Sequence, residues 1–203
     1  MSPGNSETTR RANWRLYRVY VVVIIAIALI RGGVLVAFRD DLKNDPDAYA
    51  ALAEGLATSG TYGLLPSDDE VSLGQTVETP LVVRPTAYRP PLYPLVLSLL
   101  TKHDFSTQSK QYPLGRSVLI RSAVGLLHWV LGLMTCVLVI DIAHRITNNQ
   151  IVGCLCGLLV AVDPILIRQS TLVMTETLAT YLAIATWSWW LRVQSTKTKY
   201  TVL

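Results

Sequence analysis

The sequence has few charged residues and few cysteines. Charged residues make up 16% of the chain and hydrophobic ones 51%, a balance that indicates a membrane protein. Its three cysteines, Cys136, Cys154 and Cys156, all lie inside apolar runs, where a small thiol packs as a hydrophobic group. No disulfide framework is predicted, and Cys154 and Cys156 are too closely spaced for a zinc knuckle. The sequence therefore predicts no metal site built on these cysteines.

Internal repeats and low-complexity segments are also missing from the sequence. Without inverted repeats or interrupted polar helices, a secondary transporter is disfavoured. The formal net charge of +4 comes from basic residues grouped beside apolar runs. Such grouping is typical of membrane orientation and not of a basic face interleaved with aromatic residues. Nucleic acid is therefore not a predicted partner.

Long apolar runs predict four membrane crossings. The first run, Val19 to Phe38, would span about 30 Å as a helix, which is enough to cross a bilayer. A cleaved signal peptide is the alternative for this run, but no small-x-small cleavage site precedes Arg39. The predicted order is a tail at 1–16, crossing 17–38, an outer loop at 39–116, crossing 117–141, a cytoplasmic loop at 142–150, crossing 151–167, an outer loop at 163–176, crossing 177–192 and a tail at 193–203.

The flanking charges predict the orientation. Basic residues precede the first run, follow the last, and occupy the connector 144–150, so both termini and this connector are expected in the cytoplasm. The two outer loops then share one membrane face, and we expect an integral plasma (inner) membrane protein. Within 39–116, the segment from Ala48 to Leu56 has helical spacing, and Pro91 to Leu100 is too short to span and is expected to lie in the interface. The predicted fold is an all-α membrane protein with four transmembrane helices and a long outer loop containing short interfacial helices.

Three acidic residues are candidates for chemistry. Asp45 and Asp47 follow the first crossing, and Glu176 precedes the fourth. A carboxylate at the mouth of a helix bundle can accept a proton or coordinate a cation, whereas most acids in such loops are simply solvated. Glu176 is flanked by apolar residues, where an ionisable group is costly and indicates function.

Arg89 is the candidate anion-binding residue. Pro90 and Pro91 restrict the backbone after it, so its guanidinium would lie at headgroup depth and could bind a phosphate with two hydrogen bonds. The alternative is an ordinary interfacial anchor. Arg31 lies inside the first crossing and is expected to extend its side chain toward the membrane surface, with a phosphate contact as an alternative. His128 is expected to be a packing residue.

The order of these motifs carries a resemblance. A basic tail, a crossing, Asp45-x-x-x-Tyr49, Arg89-Pro-Pro-Leu-Tyr93-Pro, two crossings and a Thr-Glu176-Thr-Leu segment follow one another. This arrangement resembles the N-terminal part of integral-membrane glycosyltransferases of the C-type fold, the group that includes protein O-mannosyltransferases and the lipid A aminoarabinose transferase. The resemblance extends from about residue 15 to 192.

The resemblance implies transfer of a sugar from a polyprenyl-phosphate donor to an acceptor on the outer face, with inversion at the anomeric carbon. Asp45 would be the general base, and Glu176 would position the acceptor or a cation. The substrate-binding residues would be Asp47, Tyr49, Arg89 and Tyr93, with Arg89 stabilising the phosphate leaving group. The implied partners are the polyprenyl-phosphate-linked sugar and the lipid bilayer, and the question of a divalent cation stays open.

Two features depart from the family pattern. Pro46 follows Asp45 where many relatives have a second acid, so either Asp47 would substitute for it or the site would be altered. The chain also has four predicted crossings, whereas these enzymes commonly have eight or more and complete the donor site with later helices. We therefore expect an N-terminal catalytic module that needs further helices, from a second chain for example. The alternative is a non-catalytic membrane subunit or truncated remnant.

Overall fold

The structure, a computed structural model, describes residues 4–64, 84–85, 89–104 and 116–201. It is mostly helical, which confirms the predicted class. The helices are α1 (Gly4–Ala37), α2 (Tyr49–Ser59), α3 (Leu92–Ser98), α4 (Arg121–Thr147), α5 (Gln150–Ala161), α6 (Pro164–Thr171) and α7 (Glu176–Thr201). A 3-10 turn, Arg39–Lys43, follows α1. Two short antiparallel hairpins, absent from the all-α prediction, pair β1 (Gly63–Leu64) with β2 (Arg84–Pro85) and β3 (Thr101–Asp104) with β4 (Arg116–Leu119).

Two helices are long and apolar enough to cross a membrane, namely Tyr17–Ala37 of α1 and all of α4. Helices α5 and α6 form a third candidate if they count as one span, but they are bent by 51° at the break between them. The last helix, α7, is long enough, yet Trp187, Trp189, Trp190 and Arg192 dilute its apolar run. The described residues thus contain two or three candidate spans, and the predicted four crossings are not confirmed.

The chain divides into two compact units. The first, here called the membrane unit, contains Met1–Arg39, Leu127–Thr171 and Glu176–Leu203. Its core includes Ile27 of α1, Cys136 and Ile140 of α4, and Ala161 of α5. Helices α4 and α5 approach closely at Gly157, which has no Cβ. A Cβ added there would lie 2.4 Å from Ile140 Cγ1. Small residues at such contacts let membrane helices pack backbone against backbone.

The second unit, here called the loop unit, contains Asp40–Leu126 and Leu172–Thr175. Its central helix, α2, packs against α3 and against β4. Two side chains of α2 complete the hydrogen bonding of that strand: Glu54 Oε1 accepts from the Leu119 amide at 3.0 Å, and Thr58 Oγ1 accepts from the Ser117 amide at 3.0 Å. Buried backbone donors need such partners, so these bonds attach the hairpin to the helix.

Local signals in the loop segment predicted two of these helices. The segment from Ala48 to Leu56 forms most of α2, which ends where Gly60 adopts φ 70°, a left-handed conformation that favours glycine. The apolar segment after Pro91 forms α3, whose length of seven residues corresponds to about 10 Å at 1.5 Å per residue. Such a helix is too short to cross a bilayer.

Candidate active site

Asp45 lies in a tight turn that leads into α2. The Ala48 amide donates to the Asp45 carbonyl at 3.2 Å, and Ala48 adopts φ 59°. This geometry directs the Asp45 side chain at the first turn of α2, where Oδ2 accepts from the Ala50 amide at 2.9 Å and from the Ala51 amide at 3.3 Å. The first amides of a helix lack partners within the helix, so Asp45 caps α2 and is held in a fixed orientation.

The other carboxylate oxygen of Asp45 differs in its surroundings. Oδ1 is buried and has no hydrogen-bond partner among the residues that the structure describes. Burial raises the pKa of this carboxyl above its ordinary value of 3.8, although the amides at the start of α2 and the charge of Arg121 act in the opposite direction. The result is an acid with one fixed oxygen and one oxygen able to receive a proton.

A chain of contacts joins the four predicted substrate-binding residues. Arg89 Nη2 donates a short hydrogen bond to Asp47 Oδ1. The same guanidinium lies over the ring of Tyr49, 5.8 Å from its centroid, which is within the range of a cation–π interaction. Tyr49 in turn meets Tyr93 edge to face, with centroids 5.3 Å apart. Both tyrosines are almost fully buried, at 2% and 1% exposed.

A further hydrogen bond holds the backbone of Arg89. The Tyr62 hydroxyl donates to the Arg89 carbonyl at 2.9 Å. Burial raises the pKa of this hydroxyl above its ordinary value of 10.0, so Tyr62 stays a donor throughout the neutral range. Arg89 and Asp47 are each about three quarters buried as side chains. The pair is therefore better shielded from solvent than an ordinary surface ion pair.

Sequence reasoning missed Arg121, the first residue of α4. Its Nη1 donates to the Leu42 carbonyl at 3.2 Å, and its charge acts on Asp45. It thus connects the 3-10 turn with the start of α4 while supplying positive charge near the candidate base. A signal was available, because Arg121 falls within the predicted crossing 117–141, where an ionisable residue indicates function.

Glu176, the remaining predicted site residue, belongs to the membrane unit and begins α7. Its Oε2 is buried without a hydrogen-bond partner among the described residues, and so is the hydroxyl of the neighbouring Thr177. A carboxylate in the first turn is favourable for the helix dipole. Two buried polar atoms without partners are nevertheless costly, and such atoms indicate a place where a polar ligand can bind.

The comparison with protein families gives one match. Residues 87–203, more than half of the chain, match the model of the dolichyl-phosphate-mannose-protein mannosyltransferases. The chain belongs to this mannosyltransferase family. No curated protein and no solved structure matches the chain. Membership confirms the resemblance deduced from the order of the motifs.

The mannosyltransferase match covers only some of the predicted site residues. Arg89, Tyr93 and Glu176 lie within it, whereas Asp45 and its turn precede it. This family uses a polyprenyl-phosphate-linked sugar as donor and works in a membrane. An integral membrane protein related to glycosyltransferases is thus established, while the donor, the acceptor and the orientation belong to the proposal below.

The structure also bears on metal binding. Among the residues that it describes, no group of three or more His, Cys, Asp or Glu side chains could hold a metal ion. The two acids of the turn have other partners: Asp45 caps α2 and Asp47 pairs with Arg89. Their arrangement favours proton transfer and charge pairing as the chemistry of this part of the chain.

Proposed function

We propose that this protein transfers a sugar, mannose by family membership, from a polyprenyl-phosphate donor to an acceptor hydroxyl on the outer membrane face. The observation that supports the proposal best is Asp45, with one oxygen fixed by α2 and the other buried without a partner among the described residues. A catalytic base must be held in position and must have a lone pair available. Asp45 meets both requirements.

In the proposed reaction, Asp45 accepts the proton of the acceptor hydroxyl. The hydroxyl oxygen forms a bond to the anomeric carbon from the face opposite the phosphate. The bond between that carbon and the phosphate oxygen breaks, and its electron pair leaves with the polyprenyl phosphate. The configuration at the anomeric carbon is therefore inverted, and the proton gained by Asp45 is later released to water.

Arg89 would bind the donor phosphate in this scheme. A guanidinium carries five donors arranged in a fork that suits a phosphate. The Asp47 carboxylate holds it before the donor binds, and the phosphate would replace or share this contact. Negative charge develops on the leaving phosphate during the reaction, so a nearby cation lowers the barrier. The Tyr49 ring contacts the Arg89 guanidinium, and Tyr93 packs against Tyr49. Both tyrosines would affect substrate binding only through Arg89.

Glu176 would bind the acceptor or a cation through its buried oxygen, together with Thr177. We also propose four crossings formed by α1, α4, the α5–α6 pair and α7. The exposed tryptophans Trp187, Trp189 and Trp190 of α7 would lie at the headgroups, where tryptophan is enriched. Both termini would then be cytoplasmic in the plasma membrane.

The test is a transfer assay in membranes from cells that express the chain. Radiolabelled mannosyl polyprenyl phosphate is the probe, and its consumption is measured for the unmodified protein, for Asp45→Asn and for Glu176→Gln. The matched control is Asp40→Asn, because Asp40 lies in the same segment with a side chain that is 74% exposed. Loss of a general base should lower the rate by about 100-fold or more, and the control should leave it unchanged.

Equal turnover in Asp45→Asn and the unmodified protein would contradict the role of Asp45. If the unmodified chain consumes no donor, the reaction is absent from the chain alone. The alternative of a non-catalytic subunit or remnant would then be favoured.

A further inference from the structure

The break between α5 and α6 is an unusual feature of the membrane unit. Helix α5 ends at Ala161, α6 begins at Pro164, and the two are bent by 51°. The sequence predicted one crossing over 151–167. A break leaves carbonyls at the end of one helix and amides at the start of the next without partners. Such groups are costly in a bilayer unless other protein groups satisfy them.

Arg31 binds one of the carbonyls at the C-terminal end of α5. We expected this side chain to extend toward the membrane surface, but it is only 6% exposed. Its Nη2 donates to the Val160 carbonyl at 2.8 Å, next to the last residue of α5. The C-terminal end of a helix carries partial negative charge. Among the described residues, this guanidinium hydrogen-bonds a helix end and the Cys136 thiol of α4, and not a carboxylate.

The space for this guanidinium comes from Gly132 on α4. A Cβ added at Gly132 would lie 2.9 Å from Arg31 Nη1 and 3.1 Å from its Cδ, which is shorter than side-chain contacts allow. Arg31 therefore lies against the backbone of α4 while it reaches α5. Its position depends on three helices, as expected for a residue that fixes their arrangement.

Asp163 satisfies the amide end of the break. Its Oδ1 accepts from the Leu166 amide at 2.9 Å, which is an N-cap, and Pro164 follows at the first helical position, where proline is favoured. The far end of α6 is also held: His128 Nδ1 lies 2.9 Å from the Ser170 carbonyl. A carbonyl only accepts, so this ring nitrogen carries the proton and donates it. His128 is fully buried.

We propose that Arg31 and Asp163 are positioning residues that cap the two helix ends at this break and thereby fix the direction of α6, with His128 holding its far end. In broken helices of transporters, the helix ends at the break bind ions or substrate. Here this chain's own side chains occupy both ends, so the break is a fixed bend. Four residues, 172–175, join α6 to Glu176, so the direction of α6 limits where Glu176 can lie. This consequence for catalysis rests on the function proposed above.

Paired spin labels can measure the bend directly. Labels at Leu155 on α5 and Ile165 on α6 span the break, and both positions are exposed, at 56% and 65%. A control pair at Ile151 and Leu159, also exposed, lies within α5. The full chain is used in nanodiscs, with the partly exposed Cys156 replaced by alanine and the buried Cys136 and Cys154 kept. Pulsed electron paramagnetic resonance then gives the distribution of distances within each pair.

We expect Arg31→Gln and Asp163→Ala to widen the 155–165 distribution by about two-fold or more, because a helix end without its cap opens more readily. The glutamine amide is also a donor, but it ends two bonds short of the arginine Nη atoms and carries no charge, so it should not replace the cap. The 151–159 distribution should not change. Arg31→Lys keeps a donor and the charge, and Asp163→Asn keeps a capping oxygen, so both should restore most of the narrow distribution. A merely bulky core residue would not be rescued in this way.

An unchanged 155–165 distribution in Arg31→Gln, in protein with its normal helix content, would overturn the inference. If Arg31→Gln does not fold, Asp163→Ala provides the test, because it removes the cap at the other end of the break. An unchanged 155–165 distribution in Asp163→Ala would also overturn the inference. These distances do not depend on sugar transfer, so the two proposals can be tested separately. If Arg31→Gln keeps the normal distances while Asp45→Asn loses sugar transfer, only the positioning role is rejected. Wider distances in a chain that transfers no sugar would support the caps and reject only the proposed function.

Discussion

Replacing Asp45 by asparagine should lower the rate of sugar transfer by about 100-fold or more and at the same time stabilise the protein at neutral pH. Asparagine keeps an oxygen that can accept from the amides of Ala50 and Ala51, so the cap of α2 survives. It removes the negative charge from the buried Oδ1, which has no partner among the described residues. A group that is tuned for catalysis is commonly unfavourable for folding.

The size of the effect follows from these contacts. A buried polar group without a partner costs about 1–3 kcal/mol, and more when it is charged, but Asp45 is only partly buried and solvent reduces this cost. We therefore expect Asp45→Asn to stabilise by about 1 kcal/mol, or about 2–4 °C in Tm for a chain of this size. Asp45→Ala loses the cap as well, which is worth about 1 kcal/mol, and should show no gain.

The pH dependence gives a sharper test. Because the folded-state pKa of Asp45 is raised, the folded protein binds this proton more tightly than the unfolded chain does. Protonation therefore stabilises the unmodified protein as the pH falls through the folded-state pKa. Asp45→Asn has no such proton, so its advantage at pH 7 should shrink as the pH is lowered and vanish below the ordinary value of 3.8.

The measurement is thermal unfolding in detergent micelles from pH 7 to pH 4, followed by circular dichroism, for the unmodified protein, Asp45→Asn and Asp45→Ala. The control Asp40→Asn removes an exposed charge and should not change Tm. A lower Tm for Asp45→Asn than for the unmodified protein at pH 7 would refute the reasoning. So would an advantage that stays constant across this pH range.

Three further outcomes are expected. Arg89→Lys should lower kcat of sugar transfer by about 10-fold, because lysine cannot present the same fork of hydrogen-bond donors. Asp47→Asn should change mainly the KM for the sugar donor. Equal effects of the two variants on kcat in the transfer assay would contradict this division. Thr58→Val should destabilise by about 1–3 kcal/mol because a buried amide of β4 loses its acceptor; an unchanged melting curve would show that water replaces it. Gly157→Val should destabilise by about 1–3 kcal/mol through overpacking, and Ile140→Ala in the same chain should recover part of the loss if the 2.4 Å contact is the cause.

The sequence predicted the elements that local signals determine. Helix α2 was predicted from apolar spacing and the glycine that follows it, and α3 from an apolar run after two prolines. The hairpin of β3 and β4 was missed because its strands are only four residues long and β3 is polar, as in Lys102 and His103, without alternating hydrophobicity. Two side chains of α2 accept hydrogen bonds from the edge amides of β4 and stabilise this strand. No local sequence pattern reveals such a contact.

The candidate site shows the same division. The order of the motifs identified Asp47, Tyr49, Arg89 and Tyr93 as a group, and the structure brings these four into contact. The pairing of Arg89 with Asp47 was not predicted, because it joins residues 42 positions apart. Arg31 was placed in a segment that is a candidate span, Tyr17–Ala37, but the environment predicted for its side chain was wrong. Its partner is the Val160 carbonyl, 129 positions away in the sequence, which a helix break leaves without an intrahelical partner. A hydropathy pattern cannot show such a break.

The attachment of β4 to α2 also limits how an acceptor polypeptide could bind. Proteins that capture extended peptides often offer a free sheet edge as a template for strand addition. Here the outward amides of β4, at Ser117 and Leu119, already donate to Thr58 and Glu54. A peptide cannot extend the sheet at this edge without displacing them, so any acceptor would have to be recognised through its side chains or through another surface.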